Sequence, residues 1–91
     1  MRTIDDALAL VKSTLTEKGQ GYGPTYRRVA QALGVKPQYS ILVRILEKAL
    51  RIDNILKFDN TETTNKVLAE EFKDIAGYAI LGLFESSPLE D

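Results

Sequence analysis

The 91-residue sequence predicts an all-α protein: an antiparallel helical bundle of three long helices and one short one, completed by dimerisation. Three observations carry that prediction. Apolar residues recur at three- and four-residue spacing along most of the chain, and no alternating strand pattern of useful length appears. Glycine and proline gather at the few places where helices should stop. The apolar arcs on the last two helices are wider than one short monomer needs to bury, so a second copy is expected to cover them.

Residues 3–18 read as the first helix. Thr3 is placed as its N-cap, and Asp5 and Asp6 fall in the first turn, where they complement the helix dipole. Ile4, Leu8, Val11 and Leu15 supply the apolar spacing. Gly19 fits a C-cap, and Gly19-Gln20-Gly21-Tyr22-Gly23-Pro24 is expected to be a loop. A short helix follows over residues 25–33, capped by Thr25 and stopped by Gly34. Pro37 opens a third helix running to Leu56, with Ile41, Leu42, Ile45, Leu46, Ala49, Leu50 and Ile52 as its apolar residues. Phe58 to Thr63 form a polar turn. The fourth helix, Thr64 to Glu85, should bury Leu68, Phe72, Ile75, Ala76, Ala79, Ile80 and Leu83. Residues 86–91 are expected to be a frayed tail on a single domain spanning 1–91.

Composition narrows the chemistry. The chain has no His and no Cys, so a Ser-His-Asp triad, a Cys-His nucleophile, a zinc finger and a disulfide framework are all excluded. Any catalysis must use carboxylates, Lys, Tyr, hydroxyls or a hard metal bound through oxygen. The net charge is −1, but it is unevenly placed. Residues 24–51 carry Arg27, Arg28, Lys36, Arg44, Lys48 and Arg51 against Glu47 alone, a net of +5; residues 52–91 net −6. A basic patch facing an acid cluster would suit a phosphate-bearing ligand held with a metal, while solvated helix faces would give the same pattern. The first six residues lack an apolar signal core and no apolar run reaches the ~18 residues of a membrane span, so a cytoplasmic, soluble protein is expected.

Positions three and four apart share a helix face. Glu71 and Asp74 therefore sit together at the margin of the fourth helix's apolar arc, with Tyr78 one turn further and Glu70 to one side. Two neighbouring carboxylates repel, and a divalent cation relieves that repulsion. Glu47 is a boundary carboxylate on the third helix, flanked by Arg44 and Arg51. Antiparallel packing would bring it toward Glu71 and Asp74, and an ordinary surface pair with Arg51 would account for it equally well.

Three segments, in order, carry a family likeness: Lys18-Gly-Gln-Gly-Tyr22-Gly23, Arg44-Ile-Leu-Glu47-Lys48-Ala-Leu-Arg51-Ile, and Glu71-Phe-Lys-Asp74-Ile-Ala-Gly77-Tyr78-Ala79. Together they resemble the MazG-like all-α nucleoside triphosphate pyrophosphohydrolases, nearest to the phage-rich branch of nucleotide-modification-associated domains. The resemblance spans Lys18 to Phe84. It implies a helical bundle, dimeric or higher, that cleaves a nucleotide between its α and β phosphates with Mg²⁺, Mn²⁺ serving as a substitute. The broad family holds the metal with Glu-x-x-Glu on one helix and Glu-x-x-Asp on the next. Here the first pattern falls on Arg44-x-x-Glu47, with arginine replacing one acid, and the second is intact as Glu71-x-x-Asp74. Gly77 stands where the nearer branch often has Asn. The resemblance thus implies Glu47, Glu71 and Asp74 as metal ligands and catalytic carboxylates. Lys18, Arg44, Lys48 and Arg51 would neutralise the triphosphate, and Tyr78 and Tyr22 would contact the nucleotide, Tyr22 being equally suited to packing its loop.

Two other functions fit the same residues. Arg27 to Val35 followed by Pro37 to Arg51 looks like a helix-turn-helix, whose +5 charge would contact DNA phosphates. A non-catalytic helical dimerisation module would show the same wide apolar arcs.

Overall fold

A computed structural model describes residues 3–58 and 62–86, with the side chains of residues 18–24, 62 and 63 outside the described set. The described chain is all-α: α1 (Ile4–Leu33), α2 (Pro37–Phe58) and α3 (Glu62–Ser86), with no strand among the described residues. The expected tail beyond Ser86 lies outside the described residues, as do positions 59–61 of the expected turn.

The local stop and start signals act as their chemistry demands. Thr3 is extended (φ −131°, ψ 163°), and its hydroxyl accepts a 3.0 Å hydrogen bond from the Asp6 N–H. That bond satisfies one of the donors a helix start leaves open. At the other end of α1, Gly34 is left-handed at φ 70°, ψ 32°. Its N–H donates to the Gln31 carbonyl at 3.2 Å, and the Val35 N–H to the Ala30 carbonyl at 3.0 Å. A residue without a Cβ takes this conformation at least cost. Pro37 then opens α2, where its missing N–H removes nothing.

One expectation is overturned. The loop placed at Gly19–Pro24 is not a break: residues 4–33 form one 30-residue helix. The local cost is considerable, at about 1 kcal/mol per glycine and about 3 kcal/mol for an interior proline. Packing on both sides outweighs it. Before the segment, Leu15 Cδ2 comes 3.5 Å from where a Cβ of Gly77 would sit, so the two helices touch there. After it, Tyr26 joins Ile41 and Leu81 in the buried core, with Leu15, Ile45 and Tyr78 packed against them.

α2 and α3 form the most extensive helix pairing. The face that α3 turns inward differs from the one its apolar arc suggests. Thr64, Glu71, Gly77 and Leu81 are buried, with Asp74, Tyr78 and Glu85 partly so. Phe72 and Leu83, expected inside, are 57% and 66% exposed, and Ala79 is exposed as well. On α2 the inner stripe is Ile41, Ile45, Lys48 and Ile52, while Leu42, Leu46, Ala49 and Leu50 face out. Gly77 lies on the inner stripe, where Leu15 of α1 packs against it at ordinary van der Waals distance. Two apolar arcs are left on the surface.

Candidate functional site

The inner stripes of α2 and α3 bring charges together at mid-helix. Lys48 occupies the turn between Ile45 and Ile52, a position that would ordinarily be apolar in a bundle. Its Nζ stands 3.0 Å from Asp74 Oδ2 and 3.3 Å from Glu71 Oε1. Arg51, on the next turn, reaches Glu71 Oε2 at 3.5 Å. The Glu71 side chain is 6% exposed, against 62% for Arg51. The hydrogen bond to Asp74 holds the Lys48 ammonium above the usual lysine range; burial opposes this and Glu71 reinforces it.

Glu71 Oε1 is the atom that stands out. It is buried and accepts no hydrogen bond. Its 3.3 Å contact with Lys48 is an ionic approach without hydrogen-bond geometry. A buried carboxylate oxygen held only by a long ionic contact is costly, so it marks a weakly satisfied place in the seam.

Glu47 does not join this pair. Its Oε1 sits 3.3 Å from Arg44 Nη1, and both side chains are about half exposed. Among the described residues, no three acids lie close enough to share one ion. Glu70 pairs with Lys73 on its own helix at 2.6 Å. Arg44 and Glu47 instead line a cavity of about 580 Å³ between the last turns of α1 and the first half of α2. Its other walls include Tyr26, Val29, Val35, Tyr39, Val43 and Tyr78, and the lining is mostly apolar. The side chains of Lys18 and Tyr22 lie outside the described residues; their backbone belongs to α1.

Sequence reasoning singled out Tyr78 but missed Tyr26 and Tyr39. The signal available was that three of the chain's four tyrosines fall on helix segments that meet here. It also missed the tie that fixes Tyr26, one of the cavity's walls, to α3. Glu85 accepts from the Tyr26 hydroxyl at 2.5 Å and from Arg27 Nε and Nη2 at 2.8 and 2.6 Å. Ser40, buried and lining the cavity, donates to the Tyr26 carbonyl at 2.7 Å.

Of the basic residues counted in the helix-turn-helix expectation, Lys48 lies on the inner stripe against α3, while Arg27, Arg28, Lys36, Arg44 and Arg51 are exposed. No helix of the described residues is long and apolar enough to cross a membrane.

The family profile described as "Nucleotide modification associated domain 1" matches residues 18–85. The chain belongs to this family. The match takes in the second half of α1, all of α2 and nearly all of α3, and so contains the cavity and the Lys48–Glu71–Asp74 cluster. Comparison with curated proteins and with solved structures returns no match. In this nucleotide-modification-associated domain the charged cluster and the tyrosine-lined cavity both lie within the matched residues.

Proposed function

We propose that this nucleotide-modification-associated domain is a Mg²⁺-dependent nucleoside triphosphate pyrophosphohydrolase, cytoplasmic and dimeric, that uses Glu71 and Asp74 as its cation site. The observation that carries it is the Glu71–Asp74 pair: two carboxylates one turn apart, one of them sunk into the α2–α3 seam with an oxygen held only by a 3.3 Å ionic contact from Lys48. That donor set fits a hard cation. Mg²⁺ is commonly held by one or two carboxylates, with waters and substrate phosphates completing its shell. The ligand set expected from sequence therefore narrows to Glu71 and Asp74, and Glu47 takes a place at the rim of the cavity.

A bound Mg²⁺ would supply charge neutralisation at phosphate oxygens and a water of lowered pKa. The residues do the rest. Asp74, less buried than Glu71, is the carboxylate within reach of solvent and can accept a proton from an attacking water. Arg44 and Arg51 present guanidinium groups at the surface, suited to bidentate phosphate contact. The cavity beside Arg44, walled by Tyr26, Tyr39 and Tyr78, is of a size that holds small ligands and would take a flat base. Lys18 and Tyr22 remain candidates for further nucleotide contacts.

The two exposed apolar arcs, Phe72 and Leu83 on α3 and Leu46 and Leu50 on α2, support a homodimer that covers them. Sedimentation giving only a monomer at micromolar concentration would count against that part.

The activity is tested by a pyrophosphate-release screen over nucleoside triphosphates with Mg²⁺. Release by wild type that Asp74→Asn abolishes is the expected result. Absence of release across the panel, or release that Asp74→Asn leaves unchanged, removes the proposal.

A further inference from the structure

We infer that Lys48 is a resident cation: its ammonium stands where an ion shared by Glu71 and Asp74 would bind, and a divalent cation enters only by displacing it. The inference rests on the cation site proposed above, and concerns what already occupies it.

The first support is position. Lys48 lies on the inner stripe of α2 rather than on a solvent-facing one. Its Nζ approaches one oxygen of each carboxylate at 3.0 and 3.3 Å, so it already bridges the pair. A metal ion bound to the same two oxygens would fall in the same space. The two cannot coexist there.

The second support is charge. The two carboxylates are balanced by Lys48 and Arg51, and the cluster is neutral as it stands. Adding a divalent ion with Lys48 in place would leave two excess positive charges in a partly buried seam, which low dielectric penalises. Expelling Lys48 removes half of that excess. Metal entry and lysine departure are therefore coupled.

The third support is the side chain itself. Lysine is a compact point charge on a flexible stem, whereas arginine is a fixed fork. At 20% exposure the Lys48 side chain has a way out to solvent. At 3.3 Å its contact with Glu71 is longer than the 3.0 Å contact with Asp74, so it is the easier of the two to give up. Once displaced, the ammonium remains beside the seam, where a phosphate-bearing ligand would take it up. The metal and an anionic ligand should then assist one another, while the metal alone binds weakly.

The experiment uses Mn²⁺ as probe, with the full chain at neutral pH. Calorimetric titration and thermal melts are run on wild type, Asp74→Asn, Lys48→Met, Lys48→Gln and the double variant Lys48→Met/Asp74→Asn. Lys48→Met should bind Mn²⁺ about tenfold more tightly than wild type, corresponding to about 1.4 kcal/mol. It should melt below wild type without metal and recover with saturating Mn²⁺. The double variant should lose the binding. Lys48→Gln keeps a polar side chain and is expected to show the same order, which covers the case of Lys48→Met failing to fold. If wild type binds at least as tightly as either lysine variant, and Asp74→Asn alone abolishes that binding, the cation site stands and the role of Lys48 is overturned. If neither wild type nor the lysine variants bind Mn²⁺, the cation site fails and this inference fails with it.

Discussion

Replacing Glu71 with glutamine keeps its size and removes its charge from the middle of the α2–α3 seam. Removing one member of a buried ion cluster typically costs about 3–5 kcal/mol, because the partner charge is stranded. Here the strandedness is partial. Lys48 keeps Asp74 at 3.0 Å, and Arg51, 62% exposed, returns to water. The cost should therefore be about half of that range, roughly 1.5–2.5 kcal/mol. For a chain of this size each kcal/mol moves Tm by about 4–8 °C, so Glu71→Gln should melt about 6–20 °C lower. Thermal and urea melts by circular dichroism at neutral pH give the number. Lys48→Met combined with Glu71→Gln should lose less than the sum of the two single changes, with a coupling of about 1 kcal/mol. A Glu71→Gln protein within about 0.5 kcal/mol of wild type, or strict additivity with Lys48→Met, would refute the claim that these groups form one buried cluster.

Other changes test the framework around it. Gly34→Ala should destabilise by about 1–2 kcal/mol in a urea melt, purely through its φ of 70°, since nothing lies within 4 Å of the added Cβ. Gly21→Ala should stabilise by about 1 kcal/mol if α1 is continuous there, whereas a loop glycine would give no gain or a loss. Glu85 makes stability pH-dependent. The Tyr26 hydroxyl, and then Arg27, hold its carboxyl below the usual range, against the opposing effect of burial. The folded pKa is thus lower than the unfolded one. Its contribution is complete above about pH 4.3 and is lost as pH falls through the folded value. Urea midpoints measured across the acid range should fall less steeply for Glu85→Gln than for wild type.

What the sequence conveyed was mainly local. Thr3, Gly34 and Pro37 act within a few residues of themselves, so their capping roles could be read without a structure. The Gly19–Pro24 segment could not, because its helical state is imposed by contacts made elsewhere by Leu15 and Tyr26. Periodicity also located the arcs of α3 without saying which arc faces its own chain. The packing of α3 against α1 and α2 turns Glu71 inward and leaves Phe72 and Leu83 outward, and that choice is tertiary rather than local. At the site, helical spacing placed Glu71 beside Asp74. It could not show that Lys48 lies between them or that Glu47 stays with Arg44, since both depend on the register of α2 against α3. The Tyr26–Glu85 tie joins residues 59 positions apart and left no local trace.

The central claim is that Glu71 and Asp74 form a cation site, and a crystal soaked in Mn²⁺ tests it most directly. An anomalous difference peak is expected between the two carboxylates, about 2.0–2.3 Å from an oxygen of each, with Lys48 Nζ moved away. A map with no peak there, or with manganese bound elsewhere while Lys48 still bridges the pair, would contradict it.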